Sequence, residues 1–136
     1  MDKVFSTASI TATTVGSVIA ILLGGWDKWL AALIALIVID YITGVIKASM
    51  NKCLSSEIGF KGIGKKVLIL LCVGTAVVVQ RTTGVPIREI VICFYVANEG
   101  ISLLENMAEF IPIPEKLKAM LLQLREPKEG KNHDTD

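Results

Sequence analysis

The stretch that decides the fold runs from Trp29 to Ala48 and reads WLAALIALIVIDYITGVIKA. It is apolar except for a carboxylate at Asp40, a few small or hydroxyl residues and a cation at Lys47. A helix needs about 20 residues, at about 1.5 Å each, to cross the hydrocarbon core of a bilayer. The alternative is a buried helix of a soluble bundle, but similar apolar runs recur at 4–25 and 67–86. The stretch therefore predicts a membrane-spanning helix.

Asp40 is the polar exception within this helix. A lone carboxylate at the centre of a membrane helix costs about 2.5–3.5 kcal/mol, so Asp40 is expected to face other protein or water. Asp40, Gly44 and Lys47 follow a spacing of four and then three residues, which places them on one helical face. Gly44 and Ala48 form a pair of small residues that lets a second helix approach closely. The helix is predicted to have one lipid face and one polar packing face.

The overall composition argues against several classes of function. The hydrophobic share is 52%, the mean hydropathy is +0.60, and a net charge of +1 gives no attraction to nucleic acid. The three cysteines fit no metal motif, and their odd number does not suggest a disulfide framework. His133, the single histidine, lies in the polar tail, so a Ser-His-Asp or Cys-His site is not expected. We predict neither an enzyme nor a bound cofactor or metal.

The N-terminal segment, 4–25, is predicted to be a retained helix. The residues before it carry no net basic side-chain charge, and no convincing cleavage site precedes Trp26, so a secretory signal peptide is less favoured. Small residues recur every fourth position and form a ridge suited to close helix contact. A coincidence in an Ala-, Gly- and Thr-rich segment is the alternative. The ridge consists of Ala8, Ala12, Gly16, Ala20 and Gly24.

Residues 49–66 are predicted to form a basic loop on the cytoplasmic side. The segment and its flank carry several lysines against a single acid, Glu57, and excess lysine marks cytoplasmic loops. Residues 59–66 resemble a phosphate-binding loop, but the last position is a lysine where Ser or Thr is needed, and a membrane helix precedes. Contact with anionic lipid headgroups is the favoured interpretation. The loop lysines are Lys52, Lys61, Lys65 and Lys66, with Lys47 just before them.

Two more helices are predicted after this loop. Residues 67–86 reach spanning length when the turn at 82–86 is included, and that turn would be the outer end of a hairpin. Residues 87–108 form an amphipathic membrane helix, for which a helix lying flat at the interface is the alternative. Glu99 is expected to pack against other helices or to line water. The polar face contains Asn98, Glu99, Ser102, Glu105 and Asn106.

The chain after residue 111 is predicted to be cytoplasmic. Prolines at 112 and 114 end the preceding helix, and residues 115–125 form a short amphipathic helix on the inner membrane surface. The charged remainder, 126–136, is predicted to be disordered. The fold class is an all-α membrane protein with a transmembrane domain at 1–111. Four transmembrane helices with the N-terminus inside are favoured, and three with the N-terminus outside are the alternative.

Four segments of the chain resemble a known family. They read DYITGVIKA at 40–48, SSEIGFKGIGKK at 55–66, NEGISLLEN at 98–106 and IPIPEKL at 111–117. In this order and spacing they resemble the phage holins, in the group that includes the clostridial toxin-secretion holins. The resemblance covers roughly residues 29–125 and does not include 4–25. The residues that match the pattern are Asp40, Gly44, Lys47, Lys61, Gly62, Lys65, Lys66, Glu99, Ser102, Glu105 and Asn106.

The resemblance implies a lytic role in the host cytoplasmic membrane. Copies of the chain would associate with one another among the membrane lipids and open lesions at a set time. An endolysin or a large toxin would leave the cell through them, without needing direct contact with the chain. A small ion channel or transporter subunit explains the intramembrane acids equally well, although no inverted repeat or broken helix is visible. A structural or regulatory membrane protein is a third class.

Overall fold

The computed structural model describes residues 2–125, and within them the chain forms five α-helices and no strands. The all-α prediction is therefore confirmed for this part of the chain. The helices are α1 (Asp2–Leu22), α2 (Lys28–Met50), α3 (Ser56–Thr83), α4 (Ile87–Met107) and α5 (Glu115–Arg125). The predicted disordered tail, 126–136, lies outside the described residues.

Local capping explains where the helices begin and end. The Asp27 carboxylate accepts a hydrogen bond from the Leu30 backbone N–H at 2.9 Å and starts α2. The Ser55 hydroxyl accepts from the Ile58 N–H at 3.2 Å and starts α3. α3 ends at Gly84, whose φ of 74° is the left-handed conformation that glycine adopts without strain.

Helix α4 is the centre of the fold, because α2, α3 and α5 all pack against it. Four fully buried side chains join α2, α3 and α4: Leu30, Leu33, Val73 and Ile92. Each fully buried aliphatic side chain contributes about 1.5–3 kcal/mol relative to exposure in water. α5 folds back along α4, where a Cβ added at Gly100 would lie 3.2 Å from the Leu121 side chain.

Helix α1 contacts the rest of the fold mainly near its C-terminal end. The Leu23 side chain after it is buried in the core. The ridge residues Ala8, Ala12 and Gly16 are exposed, and no other helix between residues 2 and 125 covers them. The small-residue ridge is thus available on the surface of the described chain.

The structure corrects the predicted loop at 49–66. Because Ser55 caps a helix, residues 56–66 form the first turns of α3, and the connection from α2 is only 51–55. Lys61 and Lys65 therefore lie on a helix, while Lys52 stays in the turn. The prediction was wrong because the positive-inside rule was taken to mean that these lysines lie in a loop. Lysines on the first turns of a helix fit that rule equally well.

Two helices, α2 and α3, are long and apolar enough to cross a membrane by length and composition. The described apolar stretch of α1 is Thr7–Leu22, and the helix ends at Leu22, before Gly24 and Gly25, which adopt positive φ values of 87° and 99°. The predicted bundle of four transmembrane helices is therefore not confirmed by the helices themselves.

Candidate functional site

Three helices bring one charged side chain each to a common buried point. Asp40 comes from α2, Lys66 from α3 and Glu99 from α4. The Lys66 ammonium donates hydrogen bonds to Asp40 Oδ2 and to Glu99 Oε2. Asp40 is 5% exposed and Glu99 only 2%. We call these three residues the buried charge triad.

An amide extends the triad toward the end of α4. Asn106 Nδ2 donates to Asp40 Oδ1 at 3.1 Å, so both carboxylate oxygens of Asp40 have donors. The same amide lies 3.4 Å from the Thr43 hydroxyl. Gly44 faces this amide, since a Cβ added there would lie 3.5 Å from Asn106 Nδ2.

A cavity of about 390 Å³ adjoins the triad between α2, α3 and α4. Its polar wall includes Asn98, Ser102 and the triad itself, and its apolar wall includes Val45, Leu54 and Ile58. This volume lies within the range of about 300–1,000 Å³ that is usual for small-molecule sites.

Tyr41 separates α2 from α3 beside this cavity. A Cβ added at Gly62 would lie 3.3 Å from the Tyr41 ring, and one added at Gly59 would lie 3.6 Å from its hydroxyl. The two glycines leave the space that the tyrosine occupies. This close packing accounts for the position of Gly62, which sequence reasoning had matched only to a family pattern.

The N-terminal end of α2 is held by a buried cation, Arg88, which is 3% exposed. Its guanidinium donates to the Leu23 carbonyl at 2.7 Å, to the Gly25 carbonyl at 3.1 Å and to Asp27 Oδ2 at 2.6 Å. The hydrogen bond from Arg88, and next the one from the Leu30 N–H, lowers the pKa of Asp27 below its ordinary value. We call this arrangement the arginine clamp.

The clamp leaves no space for a side chain at the preceding turn. A Cβ at Gly24 would lie 2.5 Å from Arg88 Nε, and the residue has a positive φ. Gly24, predicted as the last member of the small-residue ridge, is thus part of the turn instead. Arg81 adds a hydrogen bond of 3.2 Å to the Ile21 carbonyl near the end of α1.

The opposite ends of α2 and α4 are joined at Glu109. This carboxylate accepts from Asn51 at 2.9 Å and forms an ion pair with Lys47 at 3.4 Å. The Asn51 hydrogen bond, and then Lys47, lowers the pKa of Glu109. Lys47 therefore pairs with Glu109 and does not join Asp40, although both lie on the same helix.

The structure brings together only some of the predicted polar face. Asp40, Glu99 and Asn106 meet at the triad, and Ser102 lines its cavity. Glu105 is exposed and lines a separate, smaller cavity beside α5. The polar residues of α4 are therefore divided between two sites.

Lys66 is the main correction to the predicted sites. It was expected in a cytoplasmic loop, but its side chain is 15% exposed and lies inside the helix bundle. The residue lies three turns into α3, because that helix begins at Ser56. Sequence reasoning also missed Arg88. In both cases the sequence contained a usable signal, because an acid buried in an apolar helix needs a cation as its partner. Asp40 and Glu99 have Lys66 in this role, and Asp27 has Arg88.

The chemistry of these sites is electrostatic. Among residues 2–125, no group of three or more His, Cys, Asp or Glu side chains is arranged to hold a metal ion. A lysine shared by two carboxylates neutralises their charge and fixes the orientation of the helices that carry them. The triad itself does not contain a nucleophile hydrogen-bonded to a general base. The arrangement can hold α2, α3 and α4 together or, when separated, expose three ionised groups.

The outer faces of the helices around the triad are apolar. Val38, Ile42 and Ile46 on α2 are about half exposed, and Leu68 and Leu71 on α3 are exposed by more than that. An apolar surface of this kind is typical of a membrane or protein interface. A few buried charges therefore lie within a mainly apolar core, beneath outer faces that are also apolar.

A family model and a named relative of the chain point to the same protein family. A model described as "Bacteriophage holin family" matches residues 17–126. The chain is similar to an uncharacterized 14.9 kDa protein of Clostridium perfringens, at 40% identity over 94% of this chain and 100% of the relative. It is also similar to a "probable holin" of Bacillus phage phi105, at 34% identity over 82% of this chain and 85% of that protein. No solved structure gives a significant match.

Proposed function

Because the chain belongs to the bacteriophage holin family, we propose that it acts as a holin. Copies of the chain accumulate in the bacterial cytoplasmic membrane, associate with one another and open lesions at a set time. The lesions release an endolysin, or a large toxin, without direct contact between it and the chain. The observation that carries this proposal is a buried charge triad inside helices whose outer faces are apolar.

The triad suggests how a closed state is held. Within one copy, Lys66 satisfies Asp40 and Glu99, so α2, α3 and α4 present mainly apolar surface to lipid. Opening would separate these helices and place the three ionised groups at a water-filled edge. The membrane potential would bias this step, since moving one charge through 100 mV is worth about 2.3 kcal/mol.

Helix α1 offers a surface on which copies would associate. Ala8, Ala12 and Gly16 are exposed on one stripe, and small residues allow membrane helices to pack closely. The arginine clamp holds the C-terminal end of α1 while leaving this stripe uncovered. The stripe therefore supports contact between copies in the plane of the membrane.

The ties between α2 and α4 support a multi-pass arrangement. Arg88 bonds Asp27 at one end, and Glu109 bonds Asn51 at the other, so α4 extends over the full length of α2. If α2 crosses the bilayer, α4 crosses it too, although its own sequence is less apolar. By the positive-inside rule, the end of the bundle with the 51–55 turn is cytoplasmic.

Expression of the chain in bacteria, alone and with a co-expressed endolysin, tests this function. We expect growth to stop, the membrane potential to collapse and, only when the endolysin is present, the culture to lyse. Continued growth with a normal membrane potential would contradict the proposal.

Substitutions in the triad test the mechanism separately. Asp40→Ala and Glu99→Ala are expected to change the time of lysis, while Glu105→Ala, which removes an exposed acid from the same helix, leaves it close to normal. Both triad variants lysing on the wild-type schedule would contradict a role of the triad in opening, even if the chain is a holin.

A small ion channel or transporter subunit is the alternative function. Passage of a folded protein distinguishes the two, because a channel would dissipate ion gradients but retain a cytoplasmic reporter enzyme. Release of that enzyme from cells that express the chain supports the holin.

A further inference from the structure

The cavity beside the triad is lined by Glu99, a carboxylate that can accept more hydrogen bonds than the one it receives from Lys66. Glu99 is 2% exposed and lines the cavity, and one of its carboxylate oxygens accepts from Lys66. No other hydrogen bond or ion pair reaches Glu99 from residues 2–125. Its other carboxylate oxygen can still accept a hydrogen bond, so a ligand in the cavity that carries a charged donor would be stabilised there.

The charge of the triad indicates the kind of donor. One cation, Lys66, faces two carboxylates, Asp40 and Glu99, so the buried group is one positive charge short. Asp40 already accepts from both Lys66 and Asn106. The free position is therefore on Glu99, and a ligand ammonium would both complete the charge and supply N–H donors.

The rim of the cavity has the opposite character. Lys65 lines the cavity, is exposed and has no ion-pair partner within the described chain. The wall nearby contains Leu54, Ile58 and Leu68, whose side chains are exposed by 54%, 47% and 65% and also reach the outer surface. An anionic group fits the rim, and a hydrocarbon chain fits this wall.

The cavity lies at the end of the bundle where lipid headgroups would be. Ala48 and Leu54, on either side of the 51–55 turn, both line it. The cavity thus reaches from the helix ends inward to Glu99.

We propose that this cavity binds the headgroup of a phosphoethanolamine lipid. Its ammonium donates to Glu99, its phosphate pairs with Lys65, and the start of its acyl region lies along Leu54, Ile58 and Leu68. A purely anionic headgroup would meet the two carboxylates, and a choline headgroup has no N–H to donate. The inference uses a membrane location but not the release of an endolysin, so it is testable whether or not lysis occurs.

Thermal unfolding of the purified full-length chain in detergent and an amine-free buffer tests this proposal. Short-chain phosphatidylethanolamine is expected to raise the unfolding midpoint in a saturable way. Phosphatidylcholine of the same chain length, which differs only by three methyl groups on nitrogen, and phosphatidylglycerol are expected to have little effect. Equal stabilisation by phosphatidylcholine would overturn the proposal, and equal stabilisation by free phosphoethanolamine would overturn its lipid part.

Matched variants locate the site. Glu99→Gln is expected to weaken phosphatidylethanolamine binding about tenfold, as loss of a charged hydrogen bond does, while Glu105→Gln leaves it unchanged. If Glu99→Gln does not fold, Lys65→Gln at the exposed rim is compared with Lys61→Gln, which lies one turn away and pairs with Glu57. Lys65→Gln should bind the lipid several-fold more weakly than Lys61→Gln. The same affinity in both members of either pair would place the lipid elsewhere.

Discussion

Lys66, which is largely buried, and Arg88, which is 3% exposed, contact α2 at Asp40 and beside its start at Asp27, and each also bonds another part of the chain. Lys66 joins acids of α2 and α4, whereas Arg88 joins Asp27 to the backbone carbonyls of the turn after α1. A buried charge is tolerated when it is paired and hydrogen-bonded, and removal of one partner leaves the other charge uncompensated. These residues should therefore be far less replaceable than the exposed lysines.

We predict that Lys66→Met destabilises the fold much more than Lys65→Met. The first substitution leaves Asp40 and Glu99 as a buried pair of like charges, at a cost of about 3–5 kcal/mol. The second removes an exposed cation from the next position of the same helix, which should cost less than about 1 kcal/mol. The free energy of unfolding in mixed detergent measures both. Equal losses would mean that the triad contributes no more than the surface.

The clamp predicts a specific dependence of stability on pH. The pKa of Asp27 is lower in the folded chain than its ordinary value of 3.8, so the carboxylate stabilises the fold above that value. This contribution is lost as the pH falls through the lower folded-state pKa. Asp27→Asn keeps a side chain that can cap α2 but removes the charge opposite Arg88.

Asp27→Asn is expected to unfold about 1 kcal/mol more easily than the wild type at pH 7, allowing for partial solvent exposure. The difference should shrink as the pH falls below about 4. Glu57→Gln, which breaks an exposed ion pair, is the control and should show only a small difference at any pH. A deficit in Asp27→Asn that is the same at pH 7 and pH 3 would contradict an ionic role.

At the scale of helices, the sequence predicted the bounds of the helices better than it predicted which helices pack together. Period and apolar length identified α2, α4 and α5 to within a few residues, because these features are local. The start of α3 was missed by about ten residues, since Ser55 acts as a cap only when the chain after it becomes helical. The central position of α4 could not be predicted, because one sequence does not say which amphipathic face meets which.

The site residues were likewise predicted only in part. Asp40, Glu99 and Asn106 were identified because polar residues in apolar helices are conspicuous, and they do meet. Their cation, Lys66, was assigned elsewhere because it lies next to two other features, the lysine cluster and the glycine-rich segment. Lys66 is 26 residues from Asp40 and 33 residues from Glu99 in the sequence. These pairs depend on how the helices pack, which neither segment indicates by itself.

The packing of α5 on α4 predicts which side chain holds α5 in place. Leu121 contacts α4 at Gly100, while Leu124 is 53% exposed. Leu121→Asp is expected to release α5 and speed tryptic cleavage after Lys116 and Lys118 severalfold. Leu124→Asp places the same charge on the outer face and should leave cleavage close to the wild-type rate. Similar rates in the two variants would show that α5 is not held through Leu121.

At the scale of the whole molecule, the two ends differ in the availability of positive charge. At one end Arg81 and Arg88 are bonded to backbone carbonyls, Arg88 also has Asp27, and Lys28 is an exposed lysine. At the other end, Lys52 and Lys65 are exposed in or near the 51–55 turn. Free lysines are the ones that determine orientation, so this end should remain on the cytoplasmic side.

Cys53 provides a direct test of this orientation, because it is an exposed cysteine in the 51–55 turn. In a chain with Cys72→Ala and Cys93→Ala, a membrane-impermeant maleimide should not label Cys53 in intact cells before lysis, but should label it in inverted vesicles. Moving the thiol to the opposite end with Cys53→Ser and Val85→Cys should reverse both results.

The same thiol reports on opening. If lesions form, the maleimide enters the cell and Cys53 becomes labelled at the moment when the membrane potential is lost. Labelling of Cys53 in intact cells well before that moment would place the 51–55 turn outside. The free lysines would then not govern insertion, and the cavity that opens beside this turn would face the outer leaflet.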